Sequence, residues 1–164
     1  MYNILIGGAA GDGMETTAAA LEKTLKHIGY NVFSMRDFMS RVRGGHNFNQ
    51  IRFGREQIHS HARELDGLIV MNEESFNIHK DDLKEDGFII CSPSIAIEHP
   101  NLIKLDFQSL AKEAGNVRAG GSVLIGAILS LYGLDLEKAT EVFNNYFPEK
   151  ILEANFKSLL AGYN

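Results

Sequence analysis

A single cysteine, Cys91, stands among the 164 residues. That excludes an internal disulfide framework and any zinc or iron–sulfur site built on four cysteines, and it fits a reducing cytoplasm. Long apolar runs are missing too. The longest uncharged stretch, residues 119–134, contains four glycines and is too short to span a bilayer, so it reads as a buried helix, and no membrane partner is expected. The opening Met1-Tyr2-Asn3-Ile4 lacks a basic segment, and Gly7 and Gly8 break the apolar run behind it, so no signal peptide is expected. Lysine-rich faces are absent as well, and the net charge of −5 argues against nucleic-acid binding.

The remaining composition, 45% apolar and 23% charged, is that of an ordinary globular chain, most simply one domain over residues 1–164. Its charge is distributed unevenly. All nine lysines lie outside residues 36–63, whereas six of the seven arginines (Arg36, Arg41, Arg43, Arg52, Arg55 and Arg63) lie inside. Against Asp37 and Glu56 those arginines leave +4 in the window and −9 elsewhere. At its centre runs Ser40-Arg41-Val42-Arg43-Gly44-Gly45-His46-Asn47-Phe48-Asn49-Gln50-Ile51-Arg52-Phe53. This begins as a basic turn and continues as a strand, with Phe48, Gln50 and Arg52 on one face and Asn49, Ile51 and Phe53 on the other. Two glycines allow close backbone approach beside forked cations, which suits a bound anion or an acidic partner. The competing reading is an exposed ribbon that the arginines merely solvate.

Taken in order, residues 2–6 predict a buried strand, followed by the small-residue loop Gly7-Gly8-Ala9-Ala10-Gly11-Asp12-Gly13. Met14, Ala18, Leu21, Leu25 and Ile28 then form one helical stripe, with Gly29 as its C-cap. A second strand follows at 30–34, opening a parallel βαβ layer. Further strands are expected at 47–53, 67–71, 87–91 and 101–105, with 58–61 as the return arm of a β-hairpin near 47–61. Residues 76–83 carry only a weak helical signal. From residue 107 the pattern is helical, over 107–114, 117–132, 135–145 and 148–160. Gly120, Gly121 and Gly126 inside an apolar helix predict close helix–helix or helix–sheet packing, since glycine there costs about 1 kcal/mol against alanine. The expected fold class is α/β, a Rossmann-like three-layer domain with a mostly parallel sheet and a helical C-terminal half.

No motif is a complete catalytic set. After the first strand, Thr16 stands where a dinucleotide fingerprint needs its third glycine. Gly8 and Gly13 have P-loop separation, but Met14 and Glu15 follow in place of lysine and a hydroxyl residue. What remains is a helix N-terminus able to hold an anion, opposed by the charge of Asp12, or simply a tight strand–helix turn. His59 and His61 would share a strand face with no third ligand in view, Cys91 reads as a core residue, and no nucleophile elbow is present.

Three segments together, the loop G-G-A-A-G-D-G, the stretch G-Y-N-V-F-S-M-R-D-F-M-S-R-V-R-G-G-H-N-F-N-Q-I-R-F and the tail K-I-L-E-A-N-F-K-S-L-L-A-G-Y, resemble the gamma domain of 2-oxoacid:ferredoxin oxidoreductases, closest to the form at the N-terminus of the alpha chain. Asp12 and Thr17 depart from that form, where glutamine and glycine would be expected. The resemblance implies a part in oxidative decarboxylation of a 2-oxoacid to an acyl-coenzyme A, with electrons passing to ferredoxin. It places thiamine diphosphate, magnesium and the iron–sulfur clusters in partner alpha and beta subunits or domains, with no cofactor and no catalytic residue in this chain. It also implies that Arg41, Arg43, Gly44, Gly45 and His46 form a turn contacting coenzyme A or a partner, beside the loop of Gly8, Gly11, Asp12 and Gly13. A stand-alone nucleotide- or phosphate-binding module and a purely structural interface domain are the rival readings.

Overall fold

The computed structural model describes residues 2–9, 14–38, 46–55, 64–116 and 119–163, with the side chains of all of these except 9, 14, 15, 36–38, 46 and 47. Contacts divide the chain into two compact units, Met1–Met14 with Tyr30–Leu105, and Glu15–Gly29 with Asp106–Asn164.

The first unit is a six-stranded sheet in the order β2-β3-β1-β4-β5-β6. Its strands are β1 (Tyr2–Ala9), β2 (Asn31–Phe38), β3 (His46–Gly54), β4 (Leu65–Val70), β5 (Leu83–Cys91) and β6 (Leu102–Lys104). Five share one direction and β3 runs against them, so the architecture is the expected mostly parallel α/β sheet. Ile4, Leu5 and Ile6 are all buried although neighbours in a strand face opposite ways. That is the pattern of a central strand covered on both sides.

The antiparallel pair differs from the expected one. β3 pairs with β1 along one edge, from Tyr2↔Phe53 to Ala9↔His46, and with β2 along the other, from Asn31↔Gly54 to Phe38↔Asn47. Among the described residues the antiparallel partners of β3 are thus β1 and β2. The expected return arm at 58–61 lies outside the described residues. β2 also runs four residues beyond the expected 30–34, because its pairing with β3 stays in register through Phe38. The first βαβ crossover is thus present, with an antiparallel strand inserted between its two parallel members.

The weak signal at 76–83 resolves into α2 (Glu73–His79) and a single 3-10 turn (Lys80–Asp82). Asn72 caps α2: its Oδ1 accepts from the Ser75 backbone N–H at 2.9 Å and from Ser75 Oγ at 2.7 Å. Phe76 and Ile95 pack on the cluster of Leu5, Leu68, Val70, Ile89, Cys91 and Ile97.

The second unit is helical: α1 (Met14–Ile28), α3 (Phe107–Glu113), α4 (Gly120–Leu131), α5 (Leu136–Tyr146) and α6 (Glu149–Tyr163). Gly29 closes α1 at φ +116°, as the sequence predicts, and Asp135 caps α5 by accepting from the Glu137 N–H at 2.9 Å. The glycines of α4 serve close packing. A Cβ on Gly126 would meet the backbone of α6 at Leu159 and Tyr163, and one on Gly121 would meet Thr17 of α1. Across the same α4–α6 seam, Ser122 Oγ donates to Asn155 Oδ1 at 2.7 Å in a buried setting.

Candidate functional site

The strands that precede and follow the glycine loop and the basic turn in the chain meet at one end of the sheet. β1 finishes at Ala9, β2 finishes at Phe38 and β3 starts at His46, and the register sets Ala9 against His46, and Asn47 between Gly8 and Phe38. Neighbouring strands lie about 5 Å apart, so the ends of β1 and β2 flank the start of β3 on its two sides; residues 10–13 and 39–45 lie outside the described residues. β4 ends there as well, where the Met71 N–H donates to the Gly7 carbonyl at 2.9 Å. This is the carboxyl end of the parallel strands. It is also where the chain reverses its direction across the sheet, because β1 leads to β2 on one side and β4 leads to β5 on the other. Open α/β sheets keep their ligand crevices at such a point.

Of the nine residues singled out from the sequence, Gly8 is buried within β1 and His46 opens β3, its side chain outside the described set. Gly11, Asp12, Gly13, Arg41, Arg43, Gly44 and Gly45 lie outside the described residues, as do His59 and His61. Strand register brings together the starting points of both loops, although the sequence separates them by some thirty residues. Among the described residues no three His, Cys, Asp or Glu side chains gather as a metal set. Cys91 is buried in β5, and burial raises its thiol pKa against a smaller opposing pull from Lys104.

A second feature escapes the sequence. On the sheet face that carries α2, an open cleft of about 400 Å³ lies over β1, β3 and β2, floored by Leu5, Met35, Phe48 and Leu65. Gln50, His79 and Asp82 supply its polar groups. The His79 ring meets Phe48 edge to face at 4.9 Å and is only 6% exposed. Gln50 Nε2 donates to Asn3 Oδ1 at 3.0 Å, and Asn3 in turn donates from Nδ2 to the Glu64 carbonyl at 2.7 Å and from its backbone to Asp66 Oδ2 at 2.7 Å. Asp66 also holds Lys84 at 3.0 Å, and this hydrogen bond, with the charges of Asp66, Glu64 and Asp86, raises the Lys84 pKa. The sequence signal for Gln50 is its two-residue alternation with Phe48 and Arg52. His79 carries none, because its burial follows from where α2 lands.

The family model for pyruvate ferredoxin/flavodoxin oxidoreductase matches residues 3–164, nearly the whole chain. The chain belongs to that family. The alpha subunit of 2-oxoacid:ferredoxin oxidoreductase 1 from Aeropyrum pernix is 34% identical over 91 residues, covering 53% of this chain and 14% of its own length. The family member described here therefore spans about one seventh of that relative. In fold it is similar to the gamma subunit of a keto/oxoacid ferredoxin oxidoreductase from Geobacter sulfurreducens, with a TM-score of 0.84 at 20% identity over 99% of this chain and 96% of that one. It is equally similar to part of the 2-oxoglutarate:ferredoxin oxidoreductase of Magnetococcus marinus, solved with 2-oxoglutarate, coenzyme A and succinyl-CoA bound. There the TM-score is 0.86 at 20% identity, over 99% of this chain and 30% of that one.

Proposed function

We propose that residues 1–164 form one gamma-type domain or subunit of a 2-oxoacid:ferredoxin oxidoreductase. Such a complex oxidatively decarboxylates a 2-oxoacid to an acyl-coenzyme A and passes the electrons to ferredoxin. The chain is not catalytic by itself: thiamine diphosphate, magnesium and the iron–sulfur clusters belong to the alpha and beta partner subunits or domains, in the cytoplasm. The observation that carries this reading is coverage. The fold accounts for nearly all of a separate gamma subunit and for less than a third of a larger oxidoreductase chain.

Within that role, the turn of Arg41, Arg43, Gly44, Gly45 and His46 contacts either the phosphates of coenzyme A or a carboxylate-bearing partner, with the loop of Gly8, Gly11, Asp12 and Gly13 beside it. The register that sets Ala9 opposite His46 supports the shared location. A guanidinium beside glycines suits bidentate recognition of phosphate or carboxylate. The test is the reconstituted complex carrying Arg43→Ala. Contact with coenzyme A predicts a KM for coenzyme A raised about tenfold or more, as expected for loss of one charge-assisted contact, with assembly intact. Contact with a partner predicts weaker assembly at unchanged KM. If neither quantity changes, the assignment of the turn fails.

A further inference from the structure

We propose that Arg55, Tyr30 and Tyr2 form a docking surface for an acidic segment of a partner protein, one that brings a carboxylate to the Arg55 guanidinium and an apolar side chain to the tyrosine rings. This surface is separate from the basic turn. It lies past Gly54, at the opposite end of β3 from His46, and at the rise of a strand the two ends are about 30 Å apart. The strand register builds it. β2 and β3 pair from Asn31↔Gly54 onward, so one further step sets Tyr30 against Arg55, on the same side as Phe53 two residues back. Asn31 Nδ2 donates to the Arg55 carbonyl at 3.3 Å, and the Arg55 guanidinium carbon lies 4.6 Å from the centre of the Tyr30 ring.

Phe53 backs the surface from inside. It is fully buried, and the rings of Tyr2 and Tyr30 each stand 5.3 Å from its own, the first tilted and the second edge-on. Arg55 is exposed, Tyr30 partly so, and Tyr2 leaves 39% of its surface in solvent. The rings are therefore ordered before a partner arrives, which lowers the entropy that binding must overcome. Among the described residues no carboxylate pairs with Arg55. A cation–π contact draws on the charge of the guanidinium and leaves its forked N–H donors able to meet a carboxylate bidentately. Tyrosine and arginine are the side chains in which interfaces concentrate their binding energy, with complementary charge setting the choice of partner. A basic segment would meet like charge at Arg55. An inorganic anion would leave the rings in water, whereas an acidic peptide covers the cation and the carbon surface together.

The test uses the full chain labelled with nitrogen-15, titrated with the capped peptide Glu-Glu-Leu-Glu-Glu. The Arg55 Nε–H and Tyr30 backbone N–H resonances are expected to shift saturably, and reading them at these two residues separates this surface from the basic turn. Replacing the peptide's glutamates by glutamine, or raising salt to about 0.5 M, should weaken binding roughly tenfold. Replacing its leucine by serine should weaken it about fivefold. The exposed-position variant Arg55→Gln, followed at the Tyr30 N–H, should lose about tenfold in affinity, and the peptide series on the unaltered chain carries the test if that variant does not fold. Unmoved Arg55 and Tyr30 resonances overturn the proposal, as does equal binding of a Lys-Lys-Leu-Lys-Lys peptide. Inorganic phosphate that saturates the Arg55 shift at the same concentration as the peptide marks a small-anion site and also overturns it. So does a shift that follows protein concentration without peptide, together with sedimentation as a dimer, which would assign the surface to a second copy.

Discussion

Gly126 of α4 and Gly162 of α6 each face the other helix's backbone. A Cβ on Gly126 would run into the Leu159 carbonyl oxygen and lie 2.8 Å from the Tyr163 nitrogen, and one on Gly162 would run into the Val123 carbonyl oxygen and lie 2.7 Å from its carbon. The two helices are in contact through peptide groups, and neither can accept even a methyl group without moving as a whole.

Gly126→Ala is therefore expected to destabilise the chain despite alanine's better helix propensity. The propensity gain is about 1 kcal/mol, while overpacking a seam whose opposing atoms are backbone costs about 1–3 kcal/mol or more. Gly67→Ala provides the contrast. There the obstructing group is the Phe88 ring, whose Cε atoms lie 2.7 Å from the added Cβ and which can swing aside. Urea denaturation should rank Gly126→Ala as the more damaging of the two, and the reverse order would refute the backbone-contact account.

At the same seam, Ser122→Ala is expected to cost about 1–3 kcal/mol, because it removes the buried donor to Asn155 Oδ1 and strands that oxygen. Ser122→Ala combined with Asn155→Leu should recover part of the loss. A double-mutant cycle by chemical denaturation measures the coupling, and strictly additive losses would count against the pair.

His27 and Glu141 join α1 to α5 through an exposed contact of 2.5 Å. The hydrogen bond from His27, with a smaller contribution from the charge of Lys138, lowers the Glu141 pKa. A carboxyl whose folded pKa is depressed stabilises the fold above its unfolded value, near 4.3, and loses that contribution as pH falls through the folded value. The Tm advantage of the unaltered chain over Glu141→Gln should thus be present at neutral pH and vanish in acid. Added salt should reduce it, since the pair is exposed. An advantage that persists below pH 3 would contradict this assignment.

Cys91 should resist alkylation in the native chain. It is fully buried and its thiol pKa is raised by that burial, so the thiolate is both scarce and inaccessible at neutral pH. Iodoacetamide labelling followed by mass spectrometry should proceed at the rate of local or global opening and accelerate with sub-denaturing urea. Labelling as fast as that of a free thiol would show that β5 is not the closed strand described.

Much of the fold is legible in the chain because its elements carry their own period and punctuation. The stripe from Met14 to Ile28 with Gly29 behind it, the cap at Asp135, and the apolar runs of β1, β4 and β5 are local signals, satisfied within a few residues. The glycines of α4 announce close packing before any partner is known, since only a close approach compensates their cost in a helix. The alternation of residues 48–53 likewise marks β3.

Tertiary structure alone decided the pairings. That β3 enters between β1 and β2, setting His46 against Ala9, depends on contacts between residues some forty positions apart, and no local pattern encodes which edge a strand will choose. The cleft is of the same kind. Leu5, Gln50, Met35 and His79 come from four separate elements, and His79 is buried only because α2 lies along that sheet face. Periodicity specifies which side of an element is apolar, whereas the partner that covers it is fixed by the packing of the whole chain.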